Sequence, residues 1–78
     1  MQLDEILKRT RQRVFMSQDE FAKIIGTSVS TINRWENGKC RPSLPAMKSI
    51  KDFCESHGIS FNEIEEAWFI YTETNKEN

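Results

Sequence analysis

Gly26 stands at the end of one short helical pattern and just before another, and this arrangement restricts the fold more than any other feature of the chain. Before it, Ser17 and Glu20 have the spacing of a capping box, in which the serine hydroxyl and the glutamate carboxylate each bind a backbone N–H of the first turn. The spacing predicts a helix that begins at Gln18. Glycine readily adopts the left-handed conformation that ends many helices, so this helix is expected to stop at Gly26.

A second helix is predicted almost immediately after the glycine. Thr27 or Ser28 can cap its first turn, and the helical pattern runs from Val29 to Asn37, where an Asn-Gly pair favours termination. Two short helices joined by a tight turn that contains glycine form a helix-turn-helix, in which one helix lies across the DNA backbone and the next enters the major groove. Residues 18–37 are therefore predicted to form this unit.

Two further helices are predicted on either side of the unit. The first spans about residues 2–14, because apolar side chains recur there at helical spacing. These side chains are Leu3, Ile6, Leu7 and Val14. The other begins after Ser43, which can cap its first turn, and ends before Gly58.

The last helix is predicted to open with a second capping box, formed by Ser60 and Glu63, and to run to about Thr72. No segment alternates apolar and polar residues over the length of a strand. The predicted fold class is therefore all-α. We expect one compact five-helix domain over residues 1–73, followed by a frayed tail over residues 74–78.

Charge is divided unevenly along the chain. Taken as totals, the formal net charge of −1 and the pI of about 5.8 argue against a nucleic-acid partner. Residues 1–41, however, carry eight basic and five acidic groups, whereas residues 42–78 carry three basic and seven acidic groups. The predicted helix-turn-helix therefore lies in the positive part of the chain, and the last two helices lie in the negative part.

Enzymatic chemistry has little support in the sequence. Cys40 and Cys54 are too far apart for a zinc knuckle and fit a reducing compartment, while a single bridge between them stays open. Cys54 and His57 have i, i+3 spacing, but no third group is visible that would orient them as a nucleophile pair. No Gly-rich phosphate loop, metal signature or paired-carboxylate motif occurs. We expect no catalytic residue, no metal and no cofactor.

One face of the second helix of the unit carries side chains suited to reading DNA. Five residues share an arc of about 140° on a helical wheel: Val29, Ser30, Asn33, Arg34 and Asn37. They offer a methyl-bearing side chain, a hydroxyl, two amides and a guanidinium, and none of them is acidic. Ile32 and Trp35 fall on the opposite side and are predicted to face the core.

The run from Ser17 to Pro42, SQDEFAKIIGTSVSTINRWENGKCRP, resembles the Cro and lambda-repressor-like helix-turn-helix family, also called the XRE family of bacterial and phage regulators. The matching positions are Ser17, Gln18, Phe21, Ala22, Gly26, Ser30, Ile32, Trp35, Glu36, Asn37, Gly38 and Pro42. With the flanking helices, the resemblance covers about residues 3–72. It implies a compact bundle of five helices that binds double-stranded DNA, usually as a dimer.

The resemblance also assigns roles to individual residues. Base reading is expected on the exposed face of the second helix and at its cap, from Ser28, Val29, Ser30, Asn33 and Arg34. Arg34 can pair with guanine through two hydrogen bonds, and Val29 can contact a thymine methyl. Phosphate contacts, which fix register without reading sequence, are expected from Gln18, Asn37, Lys39 and Arg41. Arg11 and Glu36 match a family pair that forms a structural ion bridge.

The last helix offers a surface for a protein partner. Four of its apolar residues are spaced to cover the core: Phe61, Ile64, Trp68 and Tyr71. Phe69 and Ile70 fall off that face and make an additional apolar patch, which suggests a dimer or partner surface. The alternative is that Phe69 merely widens the contact with the core.

These features predict a transcriptional regulator, most simply a repressor that binds a two-fold symmetric operator as a homodimer. An antitoxin or restriction-system controller that also binds a protein, and an interaction module without DNA binding, stay open as alternatives. No apolar run approaches the ~20 residues of a membrane span, and the N-terminus lacks the apolar core of a signal peptide. We therefore expect a cytoplasmic, nucleoid-associated protein of bacterial or phage origin.

Overall fold

The computed structural model describes residues 2–71, which fold into five α-helices with no strand among them. The helices are α1 (Leu3–Arg13), α2 (Gln18–Ile25), α3 (Val29–Glu36), α4 (Leu44–Ser56) and α5 (Asn62–Ile70). This architecture confirms the predicted all-α, five-helix fold. The tail predicted over residues 74–78 lies outside the described residues.

The local signals around Gly26 act as the sequence predicts. Ser17 and Glu20 form both halves of the capping box: the serine Oγ accepts from the backbone N–H of Glu20 at 3.1 Å, and the Ser17 N–H donates to Glu20 Oε1 at 2.9 Å. Gly26 has φ 88° and ends α2 in the left-handed conformation. Of the two candidate caps for α3, Ser28 is used, because its Oγ accepts from the N–H of Thr31 at 3.1 Å.

The start and end of α5 correct the prediction. Ser60 and Glu63 form no capping box: the Ser60 Oγ accepts from the N–H of Asn62 at 3.3 Å, and Phe61 occupies the cap position. Phe61 already has helical backbone angles and packs against the core, so its burial sets where the helix begins. The helix ends at Ile70, since the backbone of the next residue is extended, and thus stops short of the predicted end.

The core lies between all five helices. The α3 residues Ile32 and Trp35 are 0% and 4% exposed, which confirms the side of the helix predicted to face inward. Phe21 of α2 meets Phe53 of α4 edge to face, with ring centroids 5.1 Å apart. Each such buried side chain contributes about 1.5–3 kcal/mol relative to leaving it in water. The apolar faces of the helices thus hold α2 and α3 in a fixed relation.

The turn between α1 and α2 contains an unusual residue, Phe15. It has φ 59° and is the one non-glycine residue among 2–71 with positive φ. This conformation costs a residue with a Cβ roughly 1–2 kcal/mol. The Phe15 side chain is also 93% exposed, so burial of the ring does not offset that cost.

Both cysteines are free thiols, so the bridge that the sequence left open is not formed. Cys54 is fully buried on α4, and this burial raises the pKa of its thiol above the ordinary value. Cys40 is only partly buried. In addition, none of the described helices has the length and apolarity needed to cross a membrane.

We predict that an aromatic disulfide reagent at pH 8 modifies Cys40 in the native chain and leaves Cys54 unmodified until the protein unfolds. The reason is that only an accessible thiolate attacks, and burial removes both the access and the charge of Cys54. The release of the coloured thiol over time measures both rates. The Cys40→Ser variant is the control and should show no fast phase. Equal rates for both thiols in the native protein would contradict this assignment.

Candidate nucleic-acid interface

The exposed face of α3 and the start of α2 form one shallow depression. It is lined by Gln18, Val29, Ser30, Asn33 and Arg34. The structure thus brings together four of the five residues predicted to read bases with one residue predicted to contact phosphate. No acidic side chain lines the depression. Its surface offers hydroxyl, amide and guanidinium groups beside the partly exposed methyl groups of Val29, which is 42% exposed.

The Glu36 carboxylate connects this face to the first helix. Arg11 Nε donates to Glu36 Oε2 at 2.7 Å, and a second guanidinium nitrogen donates to Oε1 at 2.9 Å. Gln18 Nε2 donates to the same Oε1 at 2.9 Å. The Glu36 side chain is only 4% exposed, and Arg11 is buried as well. Three helices, α1, α2 and α3, are therefore joined through one carboxylate.

The hydrogen bond to Glu36 raises the pKa of Arg11 above its ordinary value, which outweighs the opposing effect of burial. The guanidinium therefore remains charged at every physiological pH. It also donates to the backbone carbonyl of Met16 at 2.8 Å, so the ion pair holds the α1–α2 turn as well as α3.

The amide side chains extend this network along the surface of α3. Asn33 Nδ2 approaches Gln18 Oε1 at 3.4 Å, and Asn37 Nδ2 donates to Asn33 Oδ1 at 3.0 Å and to its backbone oxygen at 2.9 Å. These links were not among the contacts predicted from the sequence. The i, i+4 spacing of Asn33 and Asn37 was a readable signal, but the contact with Gln18 depends on how α2 and α3 cross.

Four residues predicted to contact DNA lie outside the depression, and one of them is Asn37, which is hydrogen-bonded to Asn33. Ser28 uses its hydroxyl to cap α3, where it also pairs with the hydroxyl of Thr31 at 2.9 Å. Lys39 follows α3 in an exposed position, and its backbone N–H donates to the carbonyl of Arg34 at 2.9 Å. Arg41 is held against α5 by Trp68: its guanidinium lies 4.1 Å from the ring centroid and donates to the Trp68 carbonyl at 2.8 Å.

The predicted partner surface is a separate part of the molecule. Phe69 and Ile70 at the end of α5 are 68% and 77% exposed. Phe69 also borders a depression between α4 and α5, together with Leu44, Lys48 and Glu65. The apolar patch is therefore open to solvent in the single chain, and the Phe69 ring also meets the core residue Trp68 edge to face, with ring centroids 5.1 Å apart.

The groups considered for catalysis have structural contacts. The His57 ring stacks on Phe53 with centroids 4.2 Å apart, and its Nδ1 lies 2.9 Å from the Phe53 carbonyl, where it helps to end α4. Cys54 is fully buried, so it offers no accessible nucleophile. Within residues 2–71, no three His, Cys, Asp or Glu side chains converge to hold a metal ion.

We predict that Glu36→Leu lowers the free energy of unfolding by about 3 kcal/mol, because it leaves the buried Arg11 guanidinium without a counter-charge. The double variant Arg11→Met/Glu36→Leu should recover most of this loss, since neither charge then remains buried. Urea denaturation measures both. Lys23→Ala, which removes the exposed pair with Asp19, is the control and should change stability by less than about 1 kcal/mol. A double variant no more stable than Glu36→Leu would contradict this account.

Comparison with known proteins agrees with the fold and the surface described above. A helix-turn-helix family model matches residues 7–64. The type II methyltransferase M.SsoII of Shigella sonnei is 37% identical over an alignment of 60 residues, and the match covers 73% of this chain and 16% of that protein. The chain therefore spans about a sixth of the length of this curated relative. No solved structure matches the chain at a significant level. The protein belongs to the XRE family of helix-turn-helix proteins, a family of DNA-binding regulators.

Proposed function

We propose that this protein is a sequence-specific transcriptional regulator, and most simply a repressor, that binds a two-fold symmetric operator as a homodimer. One observation carries the proposal: an exposed face of α3 without acidic side chains lies beside Gln18 and is fixed to α1 and α2 through Glu36. A rigid helix that presents mixed donors, acceptors and methyl groups suits the major groove, where each base pair offers a distinct pattern.

Base reading in this proposal is divided among the side chains of α3. Arg34 pairs with guanine through two guanidinium donors, and the exposed methyl groups of Val29 meet a thymine methyl. Ser30 and Asn33 supply further polar contacts. Asn33 already shares its amide with Gln18 and Asn37, which orients the group before DNA arrives. Ser28, whose hydroxyl caps the helix, contributes at the edge of this surface.

Phosphate contacts in this proposal flank the reading surface. Gln18 stands at the start of α2, where the first backbone N–H groups and the helix dipole favour an anion. Asn37 and Lys39 contact the DNA backbone beyond the end of α3. Arg41 adds positive charge while its guanidinium rests on Trp68, so the same residue also ties this segment to α5.

Homodimer formation is proposed through α5 and its border with α4. Phe69 and Ile70 supply apolar area, and Lys48 and Glu65 border the same depression as Phe69. Opposite charges on the two sides of one patch suit a two-fold interface, in which each group can meet its counterpart on the second copy. Two recognition helices about 34 Å apart would then meet successive major grooves.

A restriction-system controller is the second candidate function. It is favoured by the similarity to a type II methyltransferase, part of which is related in sequence to this chain. Such a controller would use the same DNA face while its other surface binds a protein partner. Purification of the chain from its natural host tests this candidate, since a stoichiometric protein partner would favour it over the simple repressor.

Selection from a random duplex library is the decisive test of DNA binding. We expect an enriched, two-fold symmetric site with half-sites one helical turn apart. Failure to bind any duplex at low salt would overturn the proposal and favour a protein-interaction module. An enriched site without symmetry would support sequence-specific DNA binding but contradict the proposed dimer.

We predict that Arg34→Ala lowers affinity for the selected site by about 1–3 kcal/mol and relaxes sequence preference at one base pair in each half-site. The loss is local because a guanidinium reads one guanine. Binding titrations with duplexes that carry each of the four bases at each position of the site measure this change in preference. An unchanged preference at every position would show that Arg34 does not read bases.

Lys39→Ala is expected to weaken binding to all duplexes alike and to reduce the slope of log affinity against log salt by about one, because one fewer counterion is released. Titrations at several salt concentrations measure the slope. Lys8→Ala on α1 removes an equal charge from an exposed residue outside the proposed contacts and should leave the slope nearly unchanged. Equal slope changes in both variants would argue against a specific phosphate contact by Lys39.

Phe69→Asp is expected to convert the dimer to monomer, because it places a charge in the apolar patch. Sedimentation equilibrium at micromolar concentration measures the mass with and without operator DNA. Affinity for an isolated half-site should remain close to that of the unmodified chain. An unmodified chain that is monomeric in both conditions would contradict the dimer.

A further inference from the structure

We propose that the end of α5 positions a phosphate contact: Trp68 and Tyr71 hold the α3–α4 loop, residues 37–43, so that the Lys39 ammonium meets the DNA backbone beside α3. This inference rests on the proposed function and adds two positioning residues that do not themselves touch DNA. It starts from the side-chain contacts that tie the loop to the end of α5.

The α3–α4 loop is fastened to α5 near both of its ends. Tyr71 Oη donates to the Gly38 carbonyl at 3.2 Å, close to the end of α3. Trp68 Nε1 donates to the carbonyl of the fully buried Pro42 at 2.7 Å, close to the start of α4. Between them, the Arg41 guanidinium lies 4.1 Å from the Trp68 ring centroid and donates to the Trp68 carbonyl at 2.8 Å. The path of the loop is therefore set by α5.

The same loop adjoins the face of α3 that is proposed to read bases. The backbone N–H of Lys39 donates to the carbonyl of Arg34 at 2.9 Å, and Arg34 lines the depression beside α3. Asn37 is hydrogen-bonded to Asn33, which lines the depression as well. Lys39 itself is exposed. Its side chain is therefore displayed from a backbone that α3 holds on one side and α5 on the other.

Fixing the loop before DNA arrives increases the affinity that a lysine can supply. The ammonium stands on a flexible four-carbon stem, so its position depends on the backbone that carries it. Ordering a mobile loop on binding costs free energy, and contacts that already exist in the free protein remove that cost. Because phosphate contacts carry no sequence information, loss of the hold from α5 should weaken binding without changing which bases are preferred.

Tyr71 separates positioning from stability better than Trp68 does. Trp68 is buried in the core, so its replacement also removes packing. Tyr71 is only partly buried, and Tyr71→Phe keeps the ring while it removes the hydroxyl that reaches Gly38. Ser56→Ala is the matched control, because it removes a hydroxyl that donates to the Phe53 carbonyl at 3.0 Å, at the end of α4 that is far from the loop.

Binding is measured for Tyr71→Phe, Lys39→Ala and the double variant, on the library-selected duplex and on an unrelated duplex. We expect Tyr71→Phe to weaken binding to both duplexes by about threefold, within the range of one net hydrogen bond, and to leave the base preference unchanged. In the Lys39→Ala background, the same substitution should weaken binding by less than about 1.5-fold, because the ammonium that the loop positions is gone. Ser56→Ala should bind as the unmodified chain does.

Modification of Cys40 reports on the loop without DNA. Cys40 lies in the loop and is partly buried, so a weaker attachment to α5 should raise the rate at which an aromatic disulfide reagent modifies it. We expect a higher rate in Tyr71→Phe and in Trp68→Phe, and an unchanged rate in Ser56→Ala. An unchanged rate in both α5 variants would show that α5 does not hold the loop, and would overturn the inference whether or not the chain binds DNA.

Three results of the binding experiment would overturn the inference while the proposed function stands. One is an unchanged affinity in Tyr71→Phe. Another is an equal loss with and without Lys39, because Tyr71 would then not act through that lysine. Phe69 and Ile70 lie at the same end of α5, so sedimentation of each variant is measured alongside; weaker self-association that accounts for the lower affinity is the third. An unmodified chain that binds no duplex removes the proposed function and this inference together.

Discussion

The Glu36 carboxylate is the group on which the arrangement of the exposed α3 face depends. It receives hydrogen bonds from Arg11 of α1 and Gln18 of α2 while standing on the last turn of α3. A buried ion pair gains little net stability relative to apolar packing, but a buried charge without its partner is very unfavourable. The network therefore acts mainly on geometry: an arrangement of the three helices that separates these groups leaves at least one charge unpaired.

This geometric role explains why a chain with a net charge of −1 can belong to a family of DNA-binding regulators. Nonspecific attraction to phosphate grows with the number of cations, and this chain has 11 basic residues against 12 acidic ones. In the proposed function, its affinity comes mostly from placed contacts and from the pairing of two half-sites. Placed contacts need rigid side chains. Gln18 is hydrogen-bonded to Glu36, Asn33 to Gln18, and Asn37 to Asn33, so the amides on the exposed face of α3 are oriented without DNA.

The molecule separates two kinds of surface by charge. The depression beside α3 is lined by Arg34 and neutral side chains, whereas α5 carries three glutamates and the exposed Phe69 and Ile70. Apolar side chains thus occur on both sides, in different electrostatic surroundings. In the proposed function, the first surface meets DNA and the second meets another copy of the chain.

The sequence by itself determined the helices, the helix-turn-helix and the buried side of α3, because capping residues, Gly26 and apolar spacing act over a few neighbouring residues. It predicted the Arg11–Glu36 contact through resemblance alone. It misplaced the start of α5, where burial of Phe61 outweighed the local capping signal of Ser60. Only the tertiary structure decided that Gln18 joins the Glu36 network, that Arg41 rests on Trp68 and that Phe15 is left-handed and exposed. The reason is physical: these features depend on how helices cross and where turns close, which local spacing does not encode.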